Sequence, residues 1–202
     1  MEIAIIVLAA AAIAALIALA WASASGGKGE DGDDPKARAW SRFLALAEEV
    51  GGLAVVEDDL GWPTMRGLID GVTVEVDLRN PVGIGARPQL GMRARLPEAE
   101  HVPSAALFMG EIEELRRQFG RPRPSGDPHG LFEVYTRVEP SASDWWQDPD
   151  LHEALTALPG GGAILVDGQL TVVFANLDAD SIRQALTVPA LIQKSVQRVT
   201  LH

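Results

Sequence analysis

Four histidines, the carboxylates Glu75 and Asp77, scattered serines, two glycine-dense loops and one tryptophan–aspartate cluster are the places in this 202-residue chain with side chains suited to catalysis or binding. His101, His129, His152 and His202 could act as general bases or metal ligands, because imidazole changes charge near neutral pH. Ligands drawn from one helix face need i, i+3 or i, i+4 spacing, which no pair of these histidines has. His152 precedes Glu153, but adjacent helical residues point apart, so each histidine is expected at the solvated surface. Glu75 and Asp77 share one face of a strand about 7 Å apart, a separation at which paired carboxylates hydrolyse glycosides. Arg66 on the partner strand, with Arg93 and Arg95 on the next, would make the same face an ordinary charge-matched surface.

The other chemistries fit less well. Ser41, Ser104, Ser125, Ser141, Ser143 and Ser181 lack the Gly-x-Ser-x-Gly frame of a nucleophile elbow. Asp31, Asp33 and Asp34 suggest calcium, but Pro35 and Phe43 stand where an EF-hand loop would have supporting determinants. Gly83 to Gly85 has no helix after it and Gly160 to Gly162 precedes a strand, so neither cradles phosphate at a helix N-terminus. The chain has no cysteine, which removes disulfides, thiolate metal sites and cysteine nucleophiles. A formal net charge of -11 argues against nucleic acid as a partner. No catalytic residue, metal ligand or cofactor site is assigned.

What remains is Asp144-Trp145-Trp146-Gln147-Asp148. Two tryptophans in a loop either pack on the domain's own core or await a partner. Because neighbours in an extended loop point to opposite sides, one indole is expected inward and the other at a partner surface, flanked by Asp144 and Asp148.

The element that would place such a domain is at the N-terminus. Ile3 to Ala22 is an unbroken apolar run, and at 1.5 Å per residue it spans about 30 Å, the thickness of a bilayer core. Residues 1–22 are therefore expected to be a transmembrane helix, embedded in lipid over residues 3–22, with Trp21 at the interface. Lys28, Lys36, Arg38 and Arg42 follow the span and no Lys or Arg precedes it, which places the following domain in the cytoplasm of a bacterial inner membrane. The competing reading is cleavage after Ala22 or Ala24 and export of a ligand-binding domain or hydrolase. Residues 23–34, rich in Gly, Ser and acidic side chains, read as a flexible tether.

Residues 35–202 are expected to form an α+β domain, an antiparallel sheet with helices packed on it. Asp34 and Pro35 open a helix that Gly51 closes, with Trp40, Phe43, Leu44, Ala47 and Val50 as its apolar stripe. Asp70-Gly71 centres a two-residue hairpin that sets Ile69 opposite Val72, Gly67 opposite Val74 and Met65 opposite Val76. Arg66, Glu75 and Asp77 should then be exposed on the far face. A strand over Gln89 to Leu96 extends the meander, and Ser104 to Phe119 reads as a helix. Proline, glycine and arginine mark 121–130 as a possible internal boundary. Beyond it come a strand from Leu131 to Val138, a helix capped by Asp148, a hairpin at Asp167-Gly168 and a helix from Asp178 that Pro189 should break or kink near Val188. Strands apolar on both faces make the second hairpin the centre of the fold.

Phe132-Glu133-Val134-Tyr135, the helix Asp150-Leu151-x-x-Ala154-Leu155-x-x-Leu158, and the hairpin and closing helix after it resemble the C-terminal half of an uncharacterised family of membrane-anchored bacterial domains. These are core positions, so the resemblance implies shared architecture and brings no catalytic residue. The expected role is a protein-interaction or scaffold domain at the inner membrane, binding a protein partner or its own kind.

Overall fold

The first helix, α1 (Pro35–Val50), begins where local chemistry places it. Asp34 accepts a hydrogen bond from the Lys36 N–H at 3.0 Å, Pro35 occupies the first turn, and Gly51 ends the helix at φ 76°. The computed structural model describes residues 34–78, 90–110, 112–124, 130–139 and 144–200. The expected span at 3–22 and nearly all of the tether lie outside them. Among the described residues no helix is long and apolar enough to cross a membrane.

A meander follows, of β1 (Leu53–Glu57), β2 (Pro63–Ile69), β3 (Val72–Asp77) and β4 (Leu90–Arg95). Its central register is the expected one, with Met65 facing Val76, Arg66 facing Glu75 and Ile69 facing Val72. Asp70 and Gly71 carry the positive φ values, 49° and 81°, that a two-residue turn requires. Met65, Val72, Val74 and Val76 are buried, Ile69 is half-buried and Arg66 is exposed. Asp77 corrects the expectation: it lies on the predicted face, yet only 3% of it is exposed.

The expected helix over 104–119 is also corrected. Ala105–Met109 is a strand, β5, and only α2 (Glu113–Phe119) is helical. Ala105 to Phe108 are buried, consistent with a strand covered on both faces, where the two-residue period disappears and a short apolar run can imitate a helix. Gly110, at φ 81°, separates the two elements.

Then come β6 (Arg123–Pro124), β7 (Phe132–Thr136), α3 (Pro149–Thr156), β8 (Gly162–Val166), β9 (Gln169–Phe174) and α4 (Ala179–Thr200). Among the described residues one antiparallel sheet holds nine strands in the order β1-β2-β3-β4-β9-β8-β5-β7-β6. It is continuous across 121–130, since β5 before that stretch pairs with β7 after it. The β8–β9 hairpin, turning at Asp167 and Gly168, lies in the middle of the order, as its apolar strands imply. Pro189 does not break α4, which runs through it; the proline is buried.

The inner face of the sheet carries the main core, in which Phe43 of α1, Met92 of β4, Val172 of β9, Leu155 of α3 and Ile192 of α4 belong to one cluster. On the outer face α2 covers only the β5–β7–β8 end, where Phe108, Leu115, Phe119, Tyr135, Ile164 and Val173 form a second cluster. At the other end of this face Arg66 and Thr73 are exposed and Leu68 is 67% exposed.

Candidate functional site

The tryptophan cluster is a structural joint. Trp145–Gln147 is a single 3-10 turn, closed by the Gln147 N–H donating to the Asp144 carbonyl at 2.9 Å. Successive side chains of such a turn are about 120° apart rather than opposed, so both indoles can enter one core. They do: Trp145 is 1% exposed, Trp146 is fully buried, and the rings meet edge to face at 5.7 Å. The expectation of one inward and one outward indole is therefore corrected, and neither ring is presented to a partner. The Trp145 Nε1–H donates to the Pro103 carbonyl at 3.2 Å, whereas Trp146 Nε1 has no partner among the described residues.

Asp148 joins this turn to the last helix. Its Oδ1 accepts from the Asp150 N–H at 2.9 Å and caps α3; its Oδ2 accepts from Ser195 Oγ at 2.5 Å and from Arg198 Nη1 at 3.2 Å. Lys194 reaches Asp150 at 3.0 Å beside it. Asp148 is 6% exposed and Asp144 is half-buried, so this acidic pair offers little free charge to a partner. Ser195 and Arg198 escaped the sequence analysis, though their i, i+3 spacing puts them on one helix face. Asp148→Ala should destabilise the domain by about 1.5 kcal/mol through loss of cap and buried acceptor, and Asp148→Asn by less. Urea denaturation of the three proteins checks this order.

His152, expected at the surface, is buried at 5% exposure. Its ring stacks on Phe132 at 5.5 Å and its Nε2 lies 2.7 Å from the Trp146 carbonyl. A carbonyl only accepts, so Nε2 carries a proton toward it, while Nδ1 is buried without a partner among the described residues. His101 is exposed; His129 and His202 lie outside the described residues. Among the described residues no group of three or more His, Asp or Glu is arranged to hold a metal ion. Asp31 and Asp33 of the calcium reading, the Gly83–Gly85 loop, and Ser125, Ser141 and Ser143 also lie outside them.

The second candidate is the charged end of the outer face. Pairing places Arg66, Glu75, Arg93, Thr171, Ile164, Ala106 and Tyr135 in one row across seven strands. Glu75 gives one oxygen to Arg66 at 2.7 Å and the other to Arg93 at 2.6 Å, and the same Arg93 nitrogen bonds Asp77 Oδ2 at 2.5 Å. Both carboxylates of the glycosidase reading are thus held by a shared guanidinium. One strand beyond Arg93, Ile164, Val166, Asp167, Gln169 and Thr171 line an open hollow of about 300 Å³.

No family model, curated protein or solved structure matches the chain. The functional reading accordingly rests on these side chains and on the sequence that precedes the domain.

Proposed function

We propose that this chain is a single-pass protein of the bacterial inner membrane whose α+β domain, held at the cytoplasmic face, has a protein-interaction or scaffold role. The anchor rests on the apolar run from Ile3 to Ala22, and the orientation on the cations that follow it. One observation carries the non-enzymatic part: the described side chains best suited to chemistry are spent on the fold. Arg93 occupies Glu75 and Asp77 together, Asp148 caps α3 and binds α4, and His152 is stacked on Phe132 and bonded to the Trp146 carbonyl.

The competing reading is an exported ligand-binding domain or hydrolase freed by cleavage after Ala22 or Ala24, where small residues flank the apolar run. Fusions at residue 202 separate the two. The anchored, cytoplasmic reading expects an inactive alkaline phosphatase fusion, a bright fluorescent-protein fusion, and a membrane-bound chain whose native N-terminus retains residues 1–22. Phosphatase activity together with a mass beginning at Ser23 or Ser25 would overturn it.

A further inference from the structure

The two edges of the sheet are treated differently. At one edge the described part of β6 is two residues, one of them Pro124, which has no amide hydrogen to offer a neighbour. Arg123 of that strand also grips Glu139 with both terminal nitrogens, at 2.7 and 3.2 Å, and this hydrogen bond holds the Glu139 carboxyl below its ordinary range. At the other edge β1 is five residues long, Leu53-Ala54-Val55-Val56-Glu57, with neither proline nor lysine in it. Among the described residues nothing pairs with its outer side. Such a strand is a template for another strand.

A second surface lies beside it. Lys36 reaches Glu57 of β1 at 3.2 Å, so its flank of α1 overhangs the free edge. The opposite flank faces α4, since Arg42 donates to the Leu177 carbonyl and Arg183 to the Glu49 carbonyl. Trp40 and Leu44 follow Lys36 at i+4 and i+8, continuing its line along α1. Trp40 is half-buried and Leu44 is 54% exposed, an apolar shelf above an open strand.

We infer that the occupant of this edge is a second copy of the chain, with β1 pairing antiparallel to β1 about a two-fold axis normal to the sheet. That operation keeps both helices on the same face and brings the two Trp40–Leu44 flanks together, so one interface covers strand and shelf. An unrelated extended peptide would pair with β1 and leave Leu44 wet. The charges permit this arrangement: antiparallel pairing about Val55 sets the two Glu57 side chains four residues apart along the strands, about 14 Å and beyond a Debye length, and each stays paired with its own Lys36. The inference rests on the interaction reading above and names its surface and partner; it does not depend on the anchor or its orientation.

Because the chain has no cysteine, a single introduced thiol reports only on its own twin. Residues facing each other across antiparallel strands are within disulfide reach. In the full-length protein, taken in whichever fraction holds it, at least one of Ala54→Cys, Val55→Cys and Val56→Cys should form disulfide dimers under mild oxidant at least about tenfold faster than Thr73→Cys on the outer face. Leu44→Asp in the same background should suppress the cross-link while the far-UV circular dichroism spectrum at the assay temperature stays that of the folded domain, because Leu44 is 54% exposed within one chain. Cross-linking at β1 no faster than at Thr73→Cys would overturn the inference. So would a β1 cross-link indifferent to Leu44→Asp, since the helix flanks would then not meet. Fractionation of the same cells reads the anchor independently, so failure of the dimer and failure of the anchor are told apart.

Discussion

Trp146→Ala should lower the stability of this domain by about 3–5 kcal/mol, the range for emptying a large aromatic site in a closed core. The ring is completely buried, meets Trp145 edge to face, and belongs to the main core cluster. Domains of this kind hold about 5–15 kcal/mol in all, so the variant sits near its unfolding threshold at room temperature. At about 2–4 °C per kcal/mol its melting temperature should fall by roughly 6–20 °C. Trp146→Phe separates volume from polarity. The buried Nε1–H has no partner among the described residues, so removing it deletes an unmade hydrogen bond, and the loss should stay near 1 kcal/mol. Trp145→Phe also orphans the Pro103 carbonyl and should cost about 1 kcal/mol more than Trp146→Phe. Calorimetry and urea titration read all three. A Trp146→Ala protein with unchanged stability but weakened association would restore the loop as a partner surface and refute its placement.

This loop shows where sequence reasoning stops. Asp34, Pro35 and Gly51 announce α1, Asp148 and Pro149 announce α3, and Asp70-Gly71 fixes the β2–β3 register. Each of these signals acts within a few residues, through a cap or a turn angle, and survives whatever packs around it. The direction of Trp145 and Trp146 depends instead on whether their loop is extended or wound into a 3-10 turn, and the Gln147 to Asp144 hydrogen bond settles that.

Burial of polar groups was equally out of reach. Nothing within ten residues of His152 foretells Phe132 stacked on its ring, and nothing near Asp148 foretells Ser195 and Arg198. Of the five apolar residues in the α1 stripe Phe43 and Ala47 are buried and Leu44 is not, so the apolar arc is wider than the face this single chain covers. For β5 the difficulty was intrinsic, because four consecutive buried residues carry no period.

The outer-face carboxylates give the second large effect. Arg93→Ala should cost about 2–3 kcal/mol. Breaking a buried ion pair by removing one partner typically costs about 3–5 kcal/mol, and the value is set lower here because the Arg93 side chain is 42% exposed and partly screened. Asp77 is the residue that suffers: its side chain is 4% exposed and would lose the guanidinium at 2.5 Å. Glu75 is 24% exposed and retains Arg66, so Glu75→Gln should cost under about 1 kcal/mol. The decisive variant is the double one. If Arg93 is there to satisfy Asp77, then Asp77→Asn should recover about half of the Arg93→Ala loss, because it replaces the buried carboxyl group that has lost this guanidinium. If Arg93 braces the sheet through other contacts instead, Asp77→Asn recovers nothing and the two losses add. Equilibrium denaturation of these variants measures the coupling between Arg93 and Asp77 directly.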